Sequence, residues 1–248
     1  MTNEFYVGYS PKMPTGLRVF VRRVVVGLGL LAITVAIVLL SGQTPFAKST
    51  FEFGQSRSFE GILETTPYPT LLIDRPGDVG SNFKYSRYLL VAPGKHGADT
   101  LSEGTDGKRV HLKGQLIYRD GQTMIEVEPA SIQAFADMKA GPDEFQHIGE
   151  VSVTGEIVDS KCYLGVMNPG MGKVHRDCAL RCISGGVPPI FISSAGDQFL
   201  LVGPDEKAFP RDALRSFIAE PITLQGELFK RGDSKFLKID LAGLRHTN

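Results

Sequence analysis

The chain has 248 residues, with 27 basic and 27 acidic side chains, no net formal charge, three cysteines and no tryptophan. Only Lys12, Arg18, Arg22 and Arg23, against the single acid Glu4, precede Gly42. The remainder therefore carries a net charge of about −3, which excludes the basic footprint of a nucleic-acid-binding protein.

From Val24 to Gly42 there is no charged residue and the run is almost wholly apolar. At about 1.5 Å of rise per residue this length approaches the roughly 30 Å of a bilayer's hydrocarbon core, so residues 24–42 are expected to span a membrane. A cleaved signal peptide would have a shorter lead, an apolar run of about 7–15 residues and a small-x-small site, and this chain fits that template poorly. The basic flank places residues 1–23 in the cytoplasm and everything after Gly42 outside it, at a bacterial inner membrane.

Residues 43–57 read as a linker, 58–135 as a first small domain, 136–148 as a second linker and 149–246 as a second domain. The division rests on a repeat. Phe59-Glu60-Gly61-Ile62-Leu63, Tyr88-Leu89-Leu90-Val91, Val110-His111-Leu112-Lys113-Gly114 and Thr123-Met124-Ile125-Glu126-Val127 recur in order. Their counterparts are Val153-Thr154-Gly155-Glu156-Ile157, Phe199-Leu200-Leu201-Val202, Ile222-Thr223-Leu224-Gln225-Gly226 and Lys235-Phe236-Leu237-Lys238-Ile239. Short alternating blocks bounded by Gly, Pro, Asp or Asn are strand signals, and the glycines inside them at 61, 114, 155 and 226 mark bends. The expected fold is mainly β, with two tandem OB-like barrels behind one transmembrane helix. Residues 205–218 are expected to form a short helix capping one end of the second barrel. The segment 63–87 reads as a long connection.

Gly61 aligns with Gly155 at an offset of 94, whereas Leu89 aligns with Leu200 at 111. The second copy thus has about 17 extra residues early on, and the insertion at 159–186 contains all three cysteines. Residues 174–183 lack Gly and Pro and precede Gly185-Gly186, so a helix is expected there. On it His175, Cys178 and Cys182 share a face.

Three chemistries suit this pattern. In an oxidising compartment Cys162 would pair with Cys178 or Cys182, leaving one thiol over. Alternatively Cys162, His175, Cys178 and Cys182 form a Cys3His set for zinc or copper, with Met167 and Met171 as nearby thioethers. A thiol redox centre is third, although Cys-x-x-x-Cys is not the usual redox spacing. His96, His111, His147 and His246 are isolated, and none of the phosphate-loop, dinucleotide, zincin or serine-hydrolase motifs is present in the sequence.

Asp159-Ser160-Lys161-Cys162, then His175-Arg176-Asp177-Cys178-Ala179-Leu180-Arg181-Cys182, then Gly186 and the apolar run to Ile192 resemble a family of small exported bacterial domains. The resemblance covers about residues 150–245. It implies an OB-like exported domain with a three-cysteine, one-histidine pattern, and no particular activity. The function expected is a non-enzymatic accessory or assembly subunit of a membrane-bound, electron-handling complex. Its partners would be the bilayer, through residues 24–42, and other subunits, with no nucleic acid. A copper- or zinc-binding protein is the alternative and a thiol redox protein the third.

Overall fold

The computed structural model describes residues 12–43, 49–75, 84–137 and 145–247. Residues 1–11 of the expected cytoplasmic segment, the first linker's residues 44–48, residues 76–83 of the 63–87 connection and residues 138–144 of the second linker lie outside the described residues.

Helix α1 (Thr15–Ser41) starts ahead of the expected Val24 and takes in Arg18, Arg22 and Arg23. It follows Pro14 and closes where the Gly42 N–H donates to the Val38 carbonyl at 3.1 Å. Among the described residues it is the one helix long and apolar enough to cross a membrane.

The remaining described residues fold as a separate unit built from two closed five-stranded barrels. The first contains β1 (Ser49–Phe51), β2 (Arg57–Glu64), β3 (Thr70–Asp74), β4 (Tyr85–Ala92), β5 (His96–Gly97), β6 (Lys108–Arg119), β7 (Gln122–Val127) and β8 (Gln133–Asp137). Strands β2, β3, β4, β7 and β6 close on themselves, with β4 and β7 parallel and every other pairing antiparallel. Strands β1 and β8 extend β6 outside the ring, so the expected first linker contributes a strand.

The second barrel is formed by β9 (Gln146–Asp159), β10 (Pro189–Ser193), β11 (Gln198–Val202), β12 (Ile222–Arg231) and β13 (Ser234–His246). Its β11 and β13 form the one parallel pair, in the position that β4 and β7 occupy in the first. This is the strand order of an OB-type barrel, in which closure removes the exposed sheet edges. Strand β9 begins within the stretch expected as the second linker.

The repeat extends to register. Leu89 lies opposite Met124 in the first barrel and Leu200 opposite Phe236 in the second. Gly61 faces Val110 as Gly155 faces Ile222, and Gly114 faces Val127 as Gly226 faces Ile239. A Cβ at Gly61 or Gly155 would collide with the carbonyl of Leu72 or Ile192 on the next strand. These glycines are where strongly coiled neighbouring strands come closest.

Each barrel fills its interior from equivalent positions. Leu63, Leu90, Val110, Leu112, Ile125 and Val127 pack together in the first, and Ile157, Leu201, Ile222, Leu224, Leu237 and Ile239 in the second. A third apolar cluster joins the two. Val91, Ile117 and Met124 pack with Val158, Leu164, Ile190, Val202 and Phe236 there. Ion pairs cross the same boundary, with Arg231 on Glu64 at 2.8 Å and Arg75 on Asp233 at 2.6 Å.

Two expectations are corrected. The 63–87 connection is not one long loop: Thr70–Asp74 is β3 and Tyr85 starts β4, with Leu71, Leu72 and Tyr85 buried. A strand covered on both faces shows no apolar–polar alternation, which hides it in the sequence. Residues 205–218 form successive turns rather than a helix, closed by bonds such as Ala213 N–H to Pro210 O and Phe217 N–H to Leu214 O, both 2.9 Å. Pinning of Ile218 and Ala219 to Ile157 holds the segment against the barrel end, and its Leu214 and Ile218 still enter the core.

Candidate metal and thiol site

The extra segment lies between β9 and β10, where the chain leaves the second barrel and turns toward the first. A π-helical turn (Cys162–Val166) is followed by a 3₁₀ turn (Lys173–His175) and helix α2 (Arg176–Ser184), close to the expected bounds. Ala179 and Ile183 on α2 pack into the core of the second barrel. Cys178 and Cys182 instead belong to the cluster between the barrels, beside Cys162 at the start of the π-helical turn that follows β9. The apolar spacing of α2 thus anchors one face and presents the thiols on another.

The three sulfurs lie within 4.8 Å of one another, and those of Cys162 and Cys178 are 3.8 Å apart. All three cysteines are free in this structure, with the Cys162 and Cys178 sulfurs beyond the roughly 2.05 Å of a disulfide. Sulfurs on two corners of a tetrahedron about a metal with bonds of about 2.3 Å are themselves about 3.8 Å apart. The spacing fits ligands around one ion and equally fits a thiol–thiol hydrogen bond.

His175 is placed differently from the expected fourth ligand. It groups with Cys162 and Asp159, outside the mutual range of Cys178 and Cys182. The residue ends a 3₁₀ turn and stands at the N-cap of α2, so the helical stacking assumed for positions 175 and 178 does not apply. Its ring is also held by Asp159, with Nε2 at 2.7 Å from the buried carboxylate and Nδ1 at 3.1 Å from the Met167 sulfur. The second Asp159 oxygen accepts the Cys162 N–H at 2.8 Å. Asp159 therefore fixes both the ring and the start of the thiol turn, a carboxylate–histidine arrangement of the kind that orients ligands in metal sites. Met171 packs against the apolar cluster as a filler.

Two further residues had no assigned role in the sequence. Lys161 is buried, and its Nζ reaches Glu126 at 2.5 Å and the carbonyls of Ala92 and Gly94 at 2.8 and 2.7 Å. It clamps the turn before β5. That turn carries Lys95, whose Nζ donates to Cys178 Sγ at 2.6 Å and lies 3.9 Å from Cys182 Sγ. The backbones meet at the same place: Gly97 N–H donates to Gly185 O at 3.0 Å, and a Cβ on Gly185 would strike the Lys95 carbonyl. Lys161 stands in the quoted Asp-Ser-Lys-Cys motif, which was its signal. Lys95 belongs to the other barrel and had none.

The electrostatics divide the thiols into unlike members. Cys162 is driven well above the ordinary thiol value, first by donating its hydrogen bond to Cys182 and then by burial. Cys182 is held below that value, chiefly by accepting from Cys162, with the Lys95 ammonium assisting. The Lys95 value is raised above that of an ordinary lysine, chiefly by its bond to Cys178. Cys178 is the half-exposed thiol, next to the ammonium.

No protein-family model, no curated protein and no solved structure matches this chain. Function is therefore argued from the site itself. Among the other histidines, His111 stacks on Phe135 at 4.4 Å, His246 on Phe217 at 5.0 Å, and His147 lies 3.8 Å from Glu227. None of these joins the thiol cluster.

Proposed function

We propose that this chain is a membrane-anchored metal-binding protein whose three thiols, between two OB-type barrels, hold a thiophilic copper or zinc ion. In this proposal α1 spans a bacterial cytoplasmic membrane, with the N-terminus inside and the barrels in the periplasm. The protein acts there as a non-enzymatic accessory or assembly subunit of a membrane-bound, electron-handling complex. The carrying observation is the mutual approach of Cys162, Cys178 and Cys182 within 4.8 Å, with one pair at the separation of two ligands on one ion. The basic residues ahead of the apolar stretch support the orientation.

The test is to purify the full chain in detergent under reducing, anaerobic conditions, supply metal, and measure metal content and free thiols together. About one ion per chain in the wild type, lost in Cys178→Ser, is expected. Three free thiols with no metal would overturn the proposal. A Cys162–Cys178 bridge formed in place of metal uptake would move the assignment to thiol redox chemistry. Copurification with other subunits from native membranes tests the accessory role, and recovery of a lone monomer contradicts it.

A further inference from the structure

We infer that Lys95 of the first barrel sets the charge class of the ion, so that the site takes a monovalent thiophilic cation of the Cu(I) type in preference to a divalent one such as zinc. The inference rests on the metal-binding proposal above and adds to it a selectivity that the thiols alone do not define.

The first observation is position. An ammonium 2.6 Å from one ligand sulfur and 3.9 Å from another stands within a few ångströms of any ion those sulfurs hold. Its repulsion of that ion is proportional to the ion's charge, so a divalent ion is repelled twice as strongly as a monovalent one. The Asp159 carboxylate also acts on Cys162 and Cys182, but it is common to the wild type and to every Lys95 variant, so substitution at Lys95 isolates the share of the ammonium. The Asp159 carboxylate is engaged by His175 and the Cys162 N–H, and the nearby Glu126 by Lys161.

The second observation is that Lys95 is placed by the architecture. Its backbone is fixed from both sides, by Lys161 on the carbonyls of Ala92 and Gly94 and by the contact of Gly97 and Gly185. Coordination number points the same way. Structural zinc is almost always held by four ligands, and His175 lies outside the mutual range of the three sulfurs. Three soft thiolates suit Cu(I).

The experiment uses the reduced full chain in detergent, with Ag⁺ as a redox-inert monovalent probe and Cd²⁺ as the divalent one. The readout is the ratio of the two affinities in wild type, Lys95→Met, Lys95→Gln and Lys95→Arg. Proton release is measured for each ion in each variant, and the affinities are compared after correction for it. Wild type is expected to prefer Ag⁺. The neutral variants should gain Cd²⁺ affinity relative to Ag⁺ on the order of tenfold, after discounting the Coulomb repulsion for a half-exposed lysine. Lys95→Arg should keep the wild-type ratio. A ratio that stays fixed in both neutral variants, or moves equally in Lys95→Arg, would overturn the inference while leaving metal binding intact. Binding of neither ion would overturn both.

Discussion

The two barrels share strand order, register and core positions, yet only the second has thiols. The first joins β2 to β3 by a short turn. The second places Cys162–Ser184 between the equivalent strands β9 and β10. The difference locates the thiol cluster: the common ring supplies a rigid frame, and a segment absent from one copy supplies the thiols. The first barrel still takes part, since its β4–β5 turn delivers Lys95 to the thiols of its neighbour. The site belongs to the pair.

That view is open to disruption at the seam between the barrels. The largest effect is expected from Gly185→Val, whose side chain would collide with the Lys95 carbonyl. Overpacking of this kind, with the seam forced apart, should cost about 4 kcal/mol, read as a lowered denaturant midpoint. Gly185 has right-handed backbone at φ −80°, so only the collision acts there, and Gly54→Ala, in open space at φ +79°, serves as the comparison without a collision. An equal response in the two variants would mean that the barrels are not held at this contact.

Next comes Lys161→Met. It leaves Glu126 buried without its cation and frees the Ala92 and Gly94 carbonyls, so a loss of about 3 kcal/mol is expected. The same variant should loosen the turn that holds Lys95. A stability change under about 0.5 kcal/mol would show the clamp to be superficial.

The smallest effect concerns Tyr68, whose hydroxyl donates across the seam to Leu201 O at 2.9 Å. Tyr68→Phe should cost about 1 kcal/mol. Burial pushes the Tyr68 hydroxyl well above its ordinary value, so the folded state holds the proton while the unfolded chain releases it. The associated stability is intact below about pH 10 and is lost as pH rises further, and Tyr68→Phe should remove that part of the alkaline decline.

Much of the frame was legible because a repeat encodes pairing twice. Aligning Leu89 with Leu200 and Met124 with Phe236 identified residues that lie opposite each other in the two parallel pairs. Strand β3 was hidden because Leu71 and Leu72 are both buried and alternation disappears. Within the site, the spacing of Cys178 and Cys182 and the offset of the second copy pointed to the insertion. The partner of His175 did not follow from spacing, because a 3₁₀ turn precedes α2 and Asp159 takes the ring. Lys95 was illegible for a different reason: it reaches Cys178 only through packing between distant parts of the chain.

The measurement that bears most directly on the central claim is X-ray absorption at the metal edge of the copper-loaded, reduced full chain. Three sulfur neighbours at about 2.3 Å, reduced in number in Cys178→Ser, are the predicted result. A shell of nitrogen and oxygen without sulfur, unchanged by that substitution, would contradict the account.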